Sequence, residues 1–416
     1  MPTSPTPSSA APRATSLAIH HAGQADVSAQ PVRAVCTETP LRIVPFVPEA
    51  VLHRYHAFVA SDGRFTSASR LLAALWRQDQ GLPLGTYIPE PRRGSRQTQP
   101  SSLLPKLTRL GSRLSPAAAR AGATFLSPAI ASYARQALLF REVGSLWEEG
   151  RLWGNLLSSQ AMTLNLLAPM ALDLDFATAV WRILLPSFVH QVSAVRFETS
   201  PGRRGPEYFG DGTAFDVLLD VITPDGEPAF VTMEVKYVEG MTGLVPPPRP
   251  RYKETARESN LFIDPEATLL TQPGFEQLRR EHVMIQLMVR QGLAARAHFI
   301  LLGPALNRRV HAVGKLYADQ LQPIDPDAGS DKVGFSTLSL EAVVAAMTAA
   351  GAGEIATAFY SRYLDANRVV RCVLDTPLPR LSSSSPAQRA GCASAPTAPT
   401  ALTVASAKST RTRQPD

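Results

Sequence analysis

The stretch FDVLLDVITPDGEPAFVTMEVKY, residues 215–237, decides the fold. Phe215 to Ile222 and Ala229 to Tyr237 each alternate apolar side chains with others, the period of a half-buried strand. Between them Pro224-Asp225-Gly226 supplies turn residues, so the two runs predict a β-hairpin.

Register then decides what the hairpin presents. In an antiparallel pair, facing residues have numbers with a constant sum. A three-residue loop at Pro224-Asp225-Gly226 gives 450 and sets Asp216 opposite Glu234, whereas a two-residue loop gives 451 and turns Asp216 to the other face. The even sum lays Val217 on Met233 and Leu219 on Val231; the odd sum sets Val217 against Glu234. A slip of one residue turns a whole apolar stripe into water, so the even register is favoured. Asp216, Glu234 and Lys236 then share a face, because strand side chains alternate with period two. Paired carboxylates suit a hard divalent cation, and a neighbouring ammonium suits positioning water or offsetting charge on phosphorus. Asp220 lies on that face two pleats along, too far for the same ion except through water.

Outward from the hairpin, Val51 to Arg77 reads as helix with a Ser-Asp-Gly interruption, and Gly94 to Ser115 as a loop or broken helix. Ser127 to Met170 has helical spacing, and Val192 to Phe197 reads as a short strand. Phe275 to Val289 has one apolar helical face; His282 on it reads as a core-edge histidine. Ala297 to Leu302 is almost wholly apolar, as a central strand covered on both faces is. Helices are expected at Asn307–Leu321, at Leu340–Ala349 behind the cap candidate Ser339, and at Glu354–Leu364. The expected class is α/β, a mixed central sheet flanked by helices.

Composition excludes several classes. The 416 residues are 44% hydrophobic and contain no uninterrupted apolar run of membrane-spanning length. The Met-Pro-Thr-Ser-Pro opening lacks the basic and apolar regions of a secretory signal, so a cytoplasmic location is expected. Cys36, Cys372 and Cys392 are too few and too far apart for a disulfide framework or zinc site. His53 and His56 have no second pair to complete one. The net charge of +7 permits a polyanionic partner. Between Pro91 and Phe140 stand Arg92, Arg93, Arg96, Lys106, Arg109, Arg113, Arg120 and Arg135 without one acidic residue, which is either a solvated basic linker or a phosphate-tracking segment.

Asp216…Glu234-Val235-Lys236, followed by a helix and a buried strand, resembles the PD-(D/E)xK nucleases of the restriction-endonuclease-like superfamily, and within it a largely uncharacterised bacterial subfamily. The pattern extends to Leu156-Leu157-Ser158-Ser159-Gln160 with Asn165-Leu166, to Arg196-Phe197-Glu198 with Ser200-Pro201-Gly202-Arg203, to Asp211–Asp216, to Gln277–His282 and to Arg362-Tyr363-Leu364-Asp365. It spans about Gly111 to Asp365. Phe215 stands where the namesake proline would, and Leu164 and Leu167 where aromatics are expected.

The resemblance implies a restriction-endonuclease-like core at 141–375; the charge pattern marks a helical, basic extension at 51–140, and proline-rich composition marks tails at 1–50 and 376–416 that are expected to be disordered. The resemblance also implies that Asp216, Glu234 and the Val235 carbonyl bind Mg²⁺ or Mn²⁺ and that Lys236 is catalytic. Glu198, Gln277 and Gln160 are accessory candidates; each also reads as an ordinary surface or packing residue. Ser158, Ser159, Gln160 and Asn165 either face the site or satisfy one another inside the fold. Arg203, Arg204 and Arg251 are candidates for holding nucleic acid. The expected activity is hydrolysis of phosphodiester bonds, in DNA first, with no membrane partner; cutting a duplex would call for a homodimer. The rival readings are a silent nuclease fold that binds nucleic acid, and a partner-binding scaffold.

Overall fold

The computed structural model describes residues 41–87, 107–200, 202–243, 245–323 and 332–377. Helices α1 (Glu49–Arg54) and α2 (Arg64–Asp79) precede a ribbon of β1 (Leu84–Tyr87) and β2 (Thr108–Leu114). Helices α3 (Pro116–Ala121), α4 (Pro128–Leu139), α5 (Glu149–Gly154), α6 (Ser159–Leu172) and α7 (Leu174–Leu184) follow. Strands β3 (Gln191–Thr199), β4 (Phe215–Ile222) and β5 (Pro228–Val235) lead to α8 (Pro250–Ser259) and α9 (Phe275–Arg290). The described chain closes with β6 (Arg296–Gly303), α10 (Arg308–Ala318), β7 (Gly334–Ser339), α11 (Leu340–Ala349), α12 (Gly353–Tyr363) and α13 (Ala366–Asp375).

Five strands form one mixed sheet in the order β3-β4-β5-β6-β7. The first three pair antiparallel; β5, β6 and β7 run parallel, with helical crossovers between them. The hairpin takes the even register throughout, from Val217 opposite Met233 to Ile222 opposite Pro228. Its loop is the three residues expected: Thr223 N–H donates to the Glu227 carbonyl 2.9 Å away and closes the ladder on Pro224-Asp225-Gly226. Gly226, at φ +83°, takes the left-handed corner of that turn.

Parity sorts the two cores. Val217, Leu219, Val221, Val231, Met233 and Val235 pack with Ile300 and Leu302 against apolar residues of α6, α7, α11 and α12. The opposite face buries Leu218, Phe230, Phe299 and Leu301 under Leu278, Ile285 and Val310 of α9 and α10. Burying each such side chain is worth about 1.5–3 kcal/mol, so a slip exposing a full stripe is prohibitive. Asp173 breaks the apolar run of α6 and α7 by capping α7, its carboxylate accepting from Phe176 N–H at 2.9 Å. The two helices turn 115° there, and among the described residues no single helix is long and apolar enough to cross a membrane.

Two expectations are corrected. The part of Gly94–Ser115 described here is not a loop or broken helix: residues 108–114 form β2, paired antiparallel with β1. The extension before residue 140 is therefore not helical alone. Its Ala73, Trp76 and Leu114 belong to the same core as the sheet. Arg92, Arg93, Arg96 and Lys106 lie outside the described residues, as do most of the tails expected to be disordered. Residues 41–48 lead into α1 with Val47 buried.

Candidate active site

Three adjacent strands bring three carboxylates into one row. Phe197 faces Val217 and Thr199 faces Phe215, which sets Glu198 opposite Asp216. The even register of the hairpin sets Glu234 opposite Asp216 on its other side. Directly opposed residues have Cβ atoms about 4.5–5.5 Å apart, close enough for their charges to interact. Glu198 interrupts the regular strand with a positive φ of +49°.

Each group is held by its neighbours. Asp216 Oδ2 accepts from the Val235 N–H at 2.7 Å, tying the first carboxylate to the strand that carries the second. Lys236 pairs with Glu234, whose side chain is 5% exposed, and donates to Gln277 Oε1 at 3.1 Å. The Gln277 amide in turn donates to Glu281 Oε1 at 2.9 Å. Glu198 Oε1 accepts from Gln160 Nε2 at 2.6 Å, and that amide also donates to the Leu146 carbonyl. Gly274, at φ +86°, begins α9 where an added Cβ would lie 2.6 Å from the Met241 carbonyl; this close approach brings α9 onto the loop after Lys236.

Electrostatics follow from burial and crowding. The Glu198 carboxyl is pushed up to about 7, first by burial; the Gln160 hydrogen bond pulls it back and the charge of Glu234 pushes it further. Burial, then Glu234 and Glu198, hold the Asp216 carboxyl well above the usual carboxylate range. Glu281 is raised likewise, by burial and then by Glu234. Burial alone would lower the Lys236 ammonium, but the charges of Glu234 and Asp216 prevail and hold it above its ordinary value.

A cleft of about 150 Å³ collects Ser158, Ser159, Gln160, Glu198, Asp216, Glu234, Val235 and Lys236. It adjoins a second hollow of about 350 Å³, the two sharing Lys236 and Glu239. A larger hollow of about 840 Å³ beside α4, α7 and α12 is mostly alanine, leucine and isoleucine, with its Asp173 occupied in capping. Among the described residues, no three His, Cys, Asp or Glu side chains form a ready-made metal cage. The donor set nevertheless fits a hard cation that keeps several waters: crowded carboxylates with the Val235 backbone beside them, whose mutual repulsion a divalent charge would relieve.

The expected residues divide. Asp216, Glu234, Lys236, Glu198, Gln160 and Gln277 meet. Asp220 lies apart and pairs with Arg196. The polar group of α6 is split: Ser158, Ser159 and Gln160 face the cleft, whereas Asn165 is satisfied inside, accepting from Leu126 N–H and donating to Tyr363 Oη at 2.8 Å. Arg203, with a 7% exposed side chain, is held by Glu142 and by the carbonyls of Glu198, Gly144 and Gly212. Arg251 donates to the Tyr208 and Glu207 carbonyls, and Arg204 is exposed. Arg109, Arg120 and Arg135 are exposed, while Arg113 is half-buried. His282 is fully buried between Tyr317 Oη and the Val333 carbonyl, as a core histidine should be.

Sequence reasoning passed over Glu281. The signal was present, because Glu281 stands four residues after Gln277 and therefore on the same helix face.

A family model described as the PD-(D/E)XK nuclease superfamily matches residues 60–365. No curated protein and no solved structure matches the chain.

Proposed function

Because this chain belongs to the PD-(D/E)XK nuclease superfamily, we propose that it is a divalent-metal-dependent nuclease that hydrolyses phosphodiester bonds in DNA. The observation that carries this is the carboxylate row Glu198–Asp216–Glu234 with Lys236 beside it. Asp216, Glu234 and the Val235 carbonyl would hold Mg²⁺ or Mn²⁺, which supplies Lewis-acid polarisation of the scissile phosphate.

The remaining roles belong to the chain's own groups. Lys236, held charged, orients the attacking water and offsets charge developing on the phosphoryl oxygens. Gln277 Oε1 accepts a hydrogen bond from the ammonium and fixes its direction. Glu198, with a carboxyl near 7, is suited to take up a proton at neutral pH. Exposed Arg204 and the basic surface at Arg109, Arg120 and Arg135 favour a polyanionic substrate. Such contacts carry no base sequence, so the proposal includes no recognition site.

Plasmid degradation by wild type and by Glu234→Ala, with Mg²⁺, with Mn²⁺ and with chelator, tests this. Metal-dependent cleavage lost in the variant while DNA binding persists supports it. Tight binding without cleavage by either protein favours the silent fold, and neither binding nor cleavage favours a scaffold.

A further inference from the structure

We propose that Glu281 is a positioning residue that aims the Lys236 ammonium by fixing the amide orientation of Gln277. This rests on the nuclease reading for its catalytic consequence and on geometry for the rest. A lysine ammonium only donates, whereas a glutamine side chain carries one accepting oxygen and one donating NH₂. For Gln277 to receive Lys236 at 3.1 Å, its oxygen must face the ammonium and its NH₂ must face away. What it then faces is Glu281 Oε1, an acceptor 2.9 Å distant. Without an acceptor there, the Lys236 hydrogen bond alone favours that orientation and the Gln277 NH₂ loses its partner, so the amide holds the ammonium less firmly.

A second observation sets Glu281 apart from an ordinary packing residue. It is 2% exposed, and its Oε2 has no hydrogen-bond partner. A buried polar atom left unmatched costs stability, so an apolar side chain of similar size would suit the fold better. The carboxyl is held in α9 at a cost to the fold, with its one matched oxygen turned to the residue that touches Lys236. A group kept against stability beside a reactive lysine is explained by what it orients.

The test compares Glu281→Leu, Glu281→Gln, Gln277→Met and the double variant Gln277→Met/Glu281→Leu. Glutamine keeps an accepting oxygen at the Oε1 position; leucine does not. The first readout is the ¹⁵N ammonium spectrum of the metal-free full chain, which has six lysines and so a short list of signals. The Lys236 signal is expected to be preserved in Glu281→Gln and displaced alike in Glu281→Leu and Gln277→Met. The second is cleavage of linear DNA. Glu281→Leu should lower kcat by about 10²-fold, the scale for a catalytic group displaced by roughly 1 Å, with KM unchanged. The double variant should be no slower than Gln277→Met alone. The third is thermal unfolding, where the double variant, which replaces both partners of the Gln277–Glu281 hydrogen bond by apolar groups, should match or exceed wild type.

A lower Tm in Glu281→Leu with an unmoved Lys236 signal would overturn the proposal, since that is what a structural role predicts. So would losses that multiply in the double variant, or a Glu281→Gln as impaired as the leucine variant. If wild type cuts nothing while the Lys236 signal behaves as described, the nuclease reading fails and the positioning role stands.

Discussion

Replacing Lys236 by methionine keeps the aliphatic stem and removes the ammonium. That ammonium is the counterion of Glu234, and the two side chains are 14% and 5% exposed, so the variant buries a carboxylate without its cation. Removing one partner of a buried pair costs about 3–5 kcal/mol, and neither side chain is open enough for solvent to screen it. The surrounding acids decide how the cost varies with pH. Burial, and after it the charge of Glu234, already raises the Asp216 and Glu281 carboxyls, while Lys236 pulls both down. Without Lys236 the cluster relieves itself by holding protons. A carboxyl whose folded value lies above its unfolded value contributes stability that is complete below about 4, and loses it as pH rises through the folded value. The deficit of Lys236→Met is therefore smallest in acid and grows as pH rises through the folded values. Urea unfolding in metal-free buffer, followed by tryptophan fluorescence, measures it. About 3–5 kcal/mol is expected at about pH 8.5, shrinking by roughly half or more at about pH 5. A deficit equal at both pH values, or below about 1 kcal/mol at the higher one, would refute the reasoning, because a pair worth so little is a surface pair.

Three further outcomes follow from the same geometry. Gln160→Leu removes the hydrogen bond that holds the Glu198 carboxyl down; the acid limb of the rate–pH profile should move to higher pH, and a shift to lower pH would contradict the placement of Glu198. Leu219→Ala should cost about 2–5 kcal/mol in urea unfolding and Asp220→Ala under about 1 kcal/mol, because the first faces the core and the second an exposed arginine; similar costs would contradict the register. Burial holds both His282 and His298 down at about 4, so each stabilises the fold fully above its ordinary value near 6.5 and loses that contribution as pH falls toward the folded value. His298→Asn should make stability fall less steeply across that window, and an unchanged slope would exclude His298 as a source of the acid sensitivity.

The hairpin was legible because burial penalises only one parity: apolar residues on both strands chose the same register, and the facing carboxylates followed from arithmetic. Ala297 to Leu302 was legible as a covered strand for a related reason, its continuous apolar run. Strand β7 was not. Gly334–Ser339 is half-buried at every position, at the end of the sheet's strand order, and offers only Phe335 and Leu338 to an apolar pattern. The ribbon of β1 and β2 escaped because β1 has four residues and its partner begins at Thr108, far along the chain. Helix α8 buries Thr255, Ala256 and Ser259, side chains too small or polar to mark a face. Arg203 reads as a phosphate contact because it is a basic residue near the expected site. Its role depends on Glu142, a residue 61 positions away that no local pattern connects to it.

The most direct test is anomalous scattering from a crystal soaked in Mn²⁺. A peak bounded by the carboxylates of Asp216 and Glu234 and the Val235 carbonyl, absent in Asp216→Asn, is the predicted result. An ion bound elsewhere with that cleft empty, or a residue 216 carboxyl turned away from Glu234, would contradict the convergence on which the catalytic proposal stands.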